Sequence, residues 1–288
     1  MRLLLTGATG FVGRHLDEAL RETDWEIVRA TRSAERAREP GWVRLDVEDP
    51  STIEPALQGC DAAVYLVHTI DDSKDYPARE ARSAEAFRKA AEQAGLKRIV
   101  YLGGVEPRGK GSRHLRSRLR TGEILRDGTV SCIELRAALV VGAGGSSWSM
   151  VRDLAARLPA MLLPRWLKFY SWPVFVEDVV VAIIRALQMP EQGSRWYDLP
   201  GPERISHEQL LRRVARAMGK DPHLVAVPVL TPKLSSYWIA LVTRAGLPLV
   251  SELVEGLQSN LDPSGESLWD VSPGSKPTGL DSAVRMAL

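Results

Sequence analysis

The sequence predicts an α/β protein in which a doubly wound parallel sheet is followed by a small, mostly helical C-terminal region covering the strand ends. Three observations predict it. Short apolar runs alternate with amphipathic helical stretches through the first half of the 288 residues. A glycine-rich turn follows the first apolar run directly. After Gly142-Ala143-Gly144-Gly145 the alternation loosens into helical segments rich in Trp and Pro.

Residues 3–5 are wholly apolar, as in a strand buried on both faces. Val12, Leu16 and Leu20 share one side of a helix over 12–20. Strands are expected at 26–30, 43–47 and 61–67. A long amphipathic helix over 78–94 should end at Gly95. A fifth strand over 98–102 stops at Gly103-Gly104. A helix over 113–126 should end at Asp127-Gly128, and a sixth strand fills 130–141.

In the second half, 149–158 reads as a helix and 159–173 as a crossover above the sheet. Residues 174–187 begin extended and turn helical, with Glu177 and Asp178 in the first turn. Residues 196–199 form a short strand. Ser206 caps a helix running to Met218. Two more helices lie around 232–244 and 248–257, and the Pro-, Gly- and Ser-rich stretch 262–278 should be loosely held. Residues 1–145 are thus expected to form one domain, and 146–288 the remaining elements and a substrate-covering subdomain.

Composition excludes several classes. Apolar residues make up 44% and charged residues 26%, so the chain can build an ordinary core. A net charge of +2 is too small to imply nucleic acid, and the basic run Arg113 to Arg120 reads as a solvated helix face. No apolar run approaches bilayer length or that of a signal peptide. Cys60 and Cys132 suit buried positions in a reducing cytoplasm, not a disulfide framework or a zinc site. No metal spacing stands out. Asp71, Asp72 and Asp75 lack the rest of a calcium loop.

The turn Thr6-Gly7-Ala8-Thr9-Gly10-Phe11-Val12-Gly13 lies between the first strand and the first helix. Gly7 permits a tight bend, Gly10 lets a diphosphate approach the backbone, and Gly13 lets helix and sheet pack closely. The helix N-terminus adds free N–H groups, with Thr9, Phe11 and Val12 beside them. This is the Rossmann dinucleotide-binding arrangement, and its position confirms it. After the second strand, Arg29-Ala30-Thr31-Arg32-Ser33 contains no carboxylate for a ribose hydroxyl. Arg32 and Ser33, with Arg36, suit a 2′-phosphate, so NADP(H) is expected over NAD(H). Asp46 and Val47 are placed for the adenine. Leu66, Val67 and His68 should line the cofactor cleft, as should Leu102 and Gly103.

These motifs resemble the extended and atypical short-chain dehydrogenase/reductase superfamily. Lys97 to Leu102 resembles its fifth strand, Val174 to Val179 the opening of its late helix, and Tyr197 to Glu203 its later strand and loop. The nearest resemblance is to bacterial NAD(P)H-binding proteins with Tyr65-Leu66-Val67-His68 and His114-Leu115-Arg116-Ser117-Arg118. NmrA-like redox sensors and an accessory subunit of respiratory complex I are related branches. The resemblance implies an oxidoreductase that normally uses Ser, Tyr and Lys. Here His114 and Arg118 stand at the Tyr-x-x-x-Lys spacing, and Gly103 or Gly104 falls where the Ser belongs. One implication is catalysis with His114 as an imidazolium proton donor and Arg118 as ribose anchor. His68 is an alternative acid. The other implication is a non-catalytic NADP(H) sensor or assembly protein. Trp148, Met150, Met161, Leu162, Trp166, Phe169, Tyr170 and Trp172 are expected to form a pocket for an apolar carbonyl, enone or quinone. The region around Tyr237-Trp238 is a candidate partner surface, and a homodimer is compatible.

Overall fold

The structure, a computed structural model, describes residues 1–68, 73, 75–109, 111–157, 160–163, 165–190, 193–221, 223–226, 231–243, 246–272, 274 and 276–288. The first half contains β1 (Arg2–Leu5), α1 (Phe11–Leu20), β2 (Glu26–Thr31), β3 (Trp42–Arg44), α2 (Ile53–Leu57) and β4 (Ala62–Tyr65). It continues with α3 (Tyr76–Gln93), β5 (Arg98–Gly104), α4 (Arg113–Arg126) and β6 (Ser131–Ala137). The second half holds β7 (Val140–Val141), α5 (Ser146–Arg157), β8 (Ala160–Leu163), β9 (Tyr170–Ser171), β10 (Val174–Phe175) and α6 (Val176–Gln188). Then come β11 (Arg195–Asp198), β12 (Ile205–Ser206), α7 (His207–Ala217), β13 (His223–Ala226), α8 (Pro232–Thr243), α9 (Leu247–Gly256), α10 (Leu268–Val271) and α11 (Leu280–Ala287).

Seven strands form one parallel sheet in the order β11-β6-β5-β4-β1-β2-β3. The order reverses at β1, so a crevice opens beyond the carboxyl ends of β1 and β4. Side-chain alternation along the strands feeds two cores. Leu3, Leu5, Val100 and Leu102 pack with α1 and α6 on one face. Leu4, Ile99 and Tyr101 pack with α3 and α4 on the other. Cys60 and Cys132 are free and buried in that second core, as expected. A third core joins α5, α7, α8, α9 and α11 above the strand ends.

Local chemistry sets the boundaries. Gly95 stands at φ 70° just after α3. The Ser112 hydroxyl accepts the Leu115 N–H and starts α4 at Arg113. Ser206 and Gln209 form a reciprocal capping box on α7.

Four expectations need correction. The third strand stops at Arg44, because the Asp46 N–H turns to the Thr52 hydroxyl. The fourth stops at Tyr65, because the Leu66 N–H bonds the Thr6 hydroxyl. The sixth breaks after Ala137, and Val140–Val141 pairs instead with β10. The stretch 262–278 is pinned at several points. Asp198 Oδ2 accepts the Ser264 and Gly265 N–H groups, Arg204 pairs with Asp262, and Thr278 bonds Asp178. Helices α2, α10 and α11 are additional to the expected elements.

Candidate functional site

The glycine turn has the geometry the sequence implies. Gly7 sits at φ 65°, the left-handed region that glycine tolerates. A β-carbon at Gly13 would lie 2.1 Å from the Gly7 carbonyl oxygen, and one at Gly10 would lie 3.0 Å from the same atom. Gly10 is the N-cap of α1, without a side-chain cap, so its first N–H groups face the crevice uncapped. Thr6 is fully buried and its hydroxyl links β1 to β4, donating to the Val64 carbonyl and accepting from the Leu66 N–H. Sequence reading gave Thr6 no such role. Thr9 is held through its carbonyl, which accepts from the Arg14 guanidinium at 2.9 Å. These features fit a diphosphate.

Beyond β2, Arg32, Ser33 and Arg36 are all exposed on one turn. The Ser33 hydroxyl accepts the Arg36 N–H, and the Arg36 guanidinium lies 5.3 Å from the Trp42 ring centre. No carboxylate pairs with Arg32 among the described residues. Asp46 accepts the Glu48 N–H, and Val47 is buried in the second core. Leu66 and Val67 are only partly buried, each packing against a different core.

The crevice continues into a cleft of about 440 Å³. Phe11, Val12, His68, Leu102, Gly103, His114 and Arg118 meet on its walls. The His68 and His114 rings lie 6.1 Å apart. An Arg118 nitrogen donates to the Leu102 carbonyl, tying α4 to the end of β5, and the Tyr101 hydroxyl donates to the Arg118 carbonyl at 3.1 Å. Gly103 leaves no room for the usual serine without a shift. A β-carbon there would meet the Glu134 carboxylate at 2.8 Å.

Electrostatics alter the expected role of His114. Burial, the Arg118 charge and His68 push its pKa down to about 3, so the ring is neutral near pH 7. The imidazolium donor expected from sequence is therefore not the resting form. His68 is open to the cleft, yet surrounding protein and Arg118 lower its pKa to about 4. His114 Nδ1 is buried without a partner. The His114 backbone N–H donates to Glu252 of α9 at 3.1 Å, and Arg113 donates twice to the same carboxylate. Glu252 carried no signal in the sequence, because α9 and α4 are distant along the chain.

The expected aromatic pocket is corrected to an aliphatic one. Trp148 is fully buried with its indole N–H on the Ala287 carbonyl, and Phe169 packs in the third core. Trp172 donates to Asp262, and the Tyr170 ring lies under Arg204. Of these residues Met150 lines the cleft. The side chains of Met161, Leu162 and Trp166 lie outside the described residues, as do Asp71 and Asp72. The deep wall comprises Leu154, Leu167, Leu210, Leu211, Ile239 and Leu261. Ser171 and His207 also reach it. Among the described residues there is no metal-ligand cluster, and no helix is long and apolar enough to cross a membrane.

The chain is similar to known proteins in sequence and in fold. A ceramide reductase of Caulobacter vibrioides is 23% identical over 286 residues, covering 93% of this chain and 88% of that protein. The chain spans about a quarter of the length of an uncharacterized Mycobacterium tuberculosis relative that is 25% identical. A nucleoside-diphosphate-sugar epimerase from Staphylococcus aureus superposes with a TM-score of 0.77 at 16% identity, covering 99% of this chain and 100% of the other. Triphenylmethane reductase of Citrobacter sp., complexed with NADP(H), gives a TM-score of 0.76 at 17% identity with full coverage of both chains. At these identities the likeness shows that the chains share a fold. Residues 7–153, from the first glycine of the turn into α5, match the NAD(P)H-binding family, and the chain belongs to it.

Proposed function

We propose that the chain is an NADPH-dependent reductase of a small, mostly apolar carbonyl, enone or quinone compound. The observation that carries this reading is the aliphatic cleft of about 440 Å³, continuous with the crevice at Leu102, Gly103, His114 and Arg118. The reductase names among its relatives support the reaction class. In this reading residues 1–145 hold the nucleotide, 146–288 cover the substrate, and the protein works in the cytoplasm.

The uncapped N-terminus of α1 and the turn from Gly7 to Gly13 bind the diphosphate. Arg32, with Ser33 and Arg36, takes the 2′-phosphate, and Asp46 and Val47 flank the adenine. Reduced pyridine nucleotide, once bound, supplies the hydride. Neutral His114 holds the acceptor oxygen with one hydrogen bond from Nε2, its Nδ1 being buried, and after hydride transfer that oxygen takes its proton from solvent at the exposed His68 side of the cleft. Arg118 steadies the negative charge that develops on that oxygen. The aliphatic walls exclude water from the reacting end.

NADPH oxidation assayed against medium-chain ketones, enones and quinones tests this. Turnover that falls about 100-fold in His114→Leu, with NADPH affinity retained, supports it. A second reading, a non-catalytic NADP(H) sensor or assembly protein, is favoured by the replacement of Tyr and Lys by His114 and Arg118. Tight NADPH binding without turnover of any acceptor selects that reading.

A further inference from the structure

The deep wall of the cleft carries two polar atoms with nothing to bond. Ser171 is 1% exposed and its Oγ has no hydrogen-bond partner; His207 is 6% exposed and its Nε2 has none. Their backbones are fixed side by side. β9 and β12 pair antiparallel, with Ile205 opposite Ser171 and Ser206 opposite Tyr170. The His207 N–H continues that register by donating to the Phe169 carbonyl at 3.1 Å. Both residues therefore reach the cleft from one rigid corner.

Buried polar groups in folded proteins nearly always find a partner, and leaving one unpaired is costly. Two such atoms in one cleft wall call for a shared explanation. The neighbouring wall residues Leu167, Leu210, Leu211, Ile239 and Leu261 are aliphatic and offer none. Burial alone, with no charged neighbour contributing, holds the His207 imidazole neutral, its pKa lowered to about 4. No charged side chain contributes at His207, so an uncharged ligand group can be buried there without leaving a charge unpaired. A serine hydroxyl and a neutral imidazole can each donate or accept, so a hydroxyl or amide satisfies both.

We propose that Ser171 and His207 form a second recognition point that hydrogen-bonds an uncharged hydroxyl or amide of the substrate, remote from the carbonyl that meets His114. The substrate class is then a neutral aliphatic amphiphile: a ketone at one end, an apolar segment along the leucine wall, and a polar group at the far end. The proposal rests on the reductase reading only for which end reacts. A site built to bond a hydroxyl discriminates strongly against the analogue that lacks it.

Binding, not turnover, is the primary readout. Medium-chain 2-alkanones and their ω-hydroxy counterparts, in a series of lengths, are titrated by calorimetry into the full-length protein saturated with NADP⁺. At the best-fitting length the hydroxy ketone should bind about tenfold tighter than its parent. His207→Phe and Ser171→Ala should collapse that ratio toward one with melting curves intact, whereas His207→Gln, which keeps a donor and an acceptor, should retain most of it. Equal affinities in the wild type, a ratio unmoved by both variants, or no binding by any member overturns the proposal. A hydroxy preference without turnover leaves it standing and removes the reductase reading; turnover without the preference does the reverse.

Discussion

Glu252 on α9 grips the N-terminus of the helix that carries His114. One carboxylate oxygen accepts the His114 backbone N–H at 3.1 Å, and the other accepts Arg113 Nε and Nη2 at 3.0 and 2.9 Å. The C-terminal helices thereby set the height of His114 in the cleft. Glu252→Gln keeps the shape but sets an NH2 donor against either the His114 N–H or the Arg113 guanidinium, so the bonds on one side are lost and those on the other lose their charge. Because Arg113 is about a third exposed, solvent screening limits the loss to about 2 kcal/mol. Denaturant melts should show that loss. Turnover should drop about tenfold through kcat, with KM for NADPH unchanged. An unchanged kcat would mean that α9 does not position His114.

The neutral histidines predict an acid-sensitive protein. His114 and His207 have folded pKa values of about 3 and 4, against about 6.5 in an unfolded chain. Between these limits the unfolded chain binds protons that the folded one refuses. The stability they contribute is thus complete above pH 6.5 and is lost as pH falls toward 4. Each should remove about 1.4 kcal/mol per pH unit across that window. Melting temperature should fall steeply from pH 6.5 to 4.5, less so in His207→Gln, and NMR of the His114 and His207 imidazoles should show no titration near 6.5.

The glycine turn gives a prediction of opposite character. Gly13→Ala would set a methyl 2.1 Å from the Gly7 carbonyl oxygen, a distance that no relaxation of a flexible side chain relieves. The turn must open, which lowers stability by roughly 2 kcal/mol or more. Arg14→Ala tests the same turn more gently by freeing the Thr9 carbonyl. NADPH affinity should fall in both, and fluorescence titration measures it.

How much of this was legible beforehand follows from the range of the interactions. The turn from Thr6 to Gly13 is local: its glycines, its strand and its helix are consecutive, so sequence alone revealed it. The α4 boundary was equally plain because Ser112 caps it through a bond three residues away. The cleft was not. Trp148 and Trp172 suggested an aromatic pocket, but each spends its indole N–H on a residue some 90 or more positions distant. Their places went to Leu210, Leu211 and Ile239, which in sequence look like any helix core. Glu252, Ser171 and His207 escaped notice for the same reason. Only folding brings them to His114, or leaves them without a partner.

The stretch expected to be loose yields a sharp test. Asp198, fully buried at the end of β11, accepts the Ser264 and Gly265 N–H groups at 2.7 and 2.8 Å. Asp198→Ala deletes two charge-assisted bonds and leaves both donors to be rehydrated, at a cost of about 3 kcal/mol. Limited proteolysis should then cut the variant within 262–272 and leave that stretch of the wild type intact. Equal resistance in the variant would show that the Arg204–Asp262 and Thr278–Asp178 contacts hold the segment without Asp198.

Cofactor choice turns on Arg32. It stands exposed after β2 with no carboxylate partner among the described residues, and the turn that follows brings Arg36 and Ser33 beside it. A guanidinium left unpaired at that position is free to fork onto a phosphate, and a ribose hydroxyl gains little from it. Arg32→Ala should therefore weaken NADPH by about 10- to 100-fold and leave NADH within a factor of about two. Arg32→Lys should fall between, since a point charge replaces the fork. The same titrations in raised salt should erode the NADPH advantage, because an exposed ion pair is screened. If Arg32→Ala shifts both nucleotides equally, the residue steadies the turn and does not read the 2′-position.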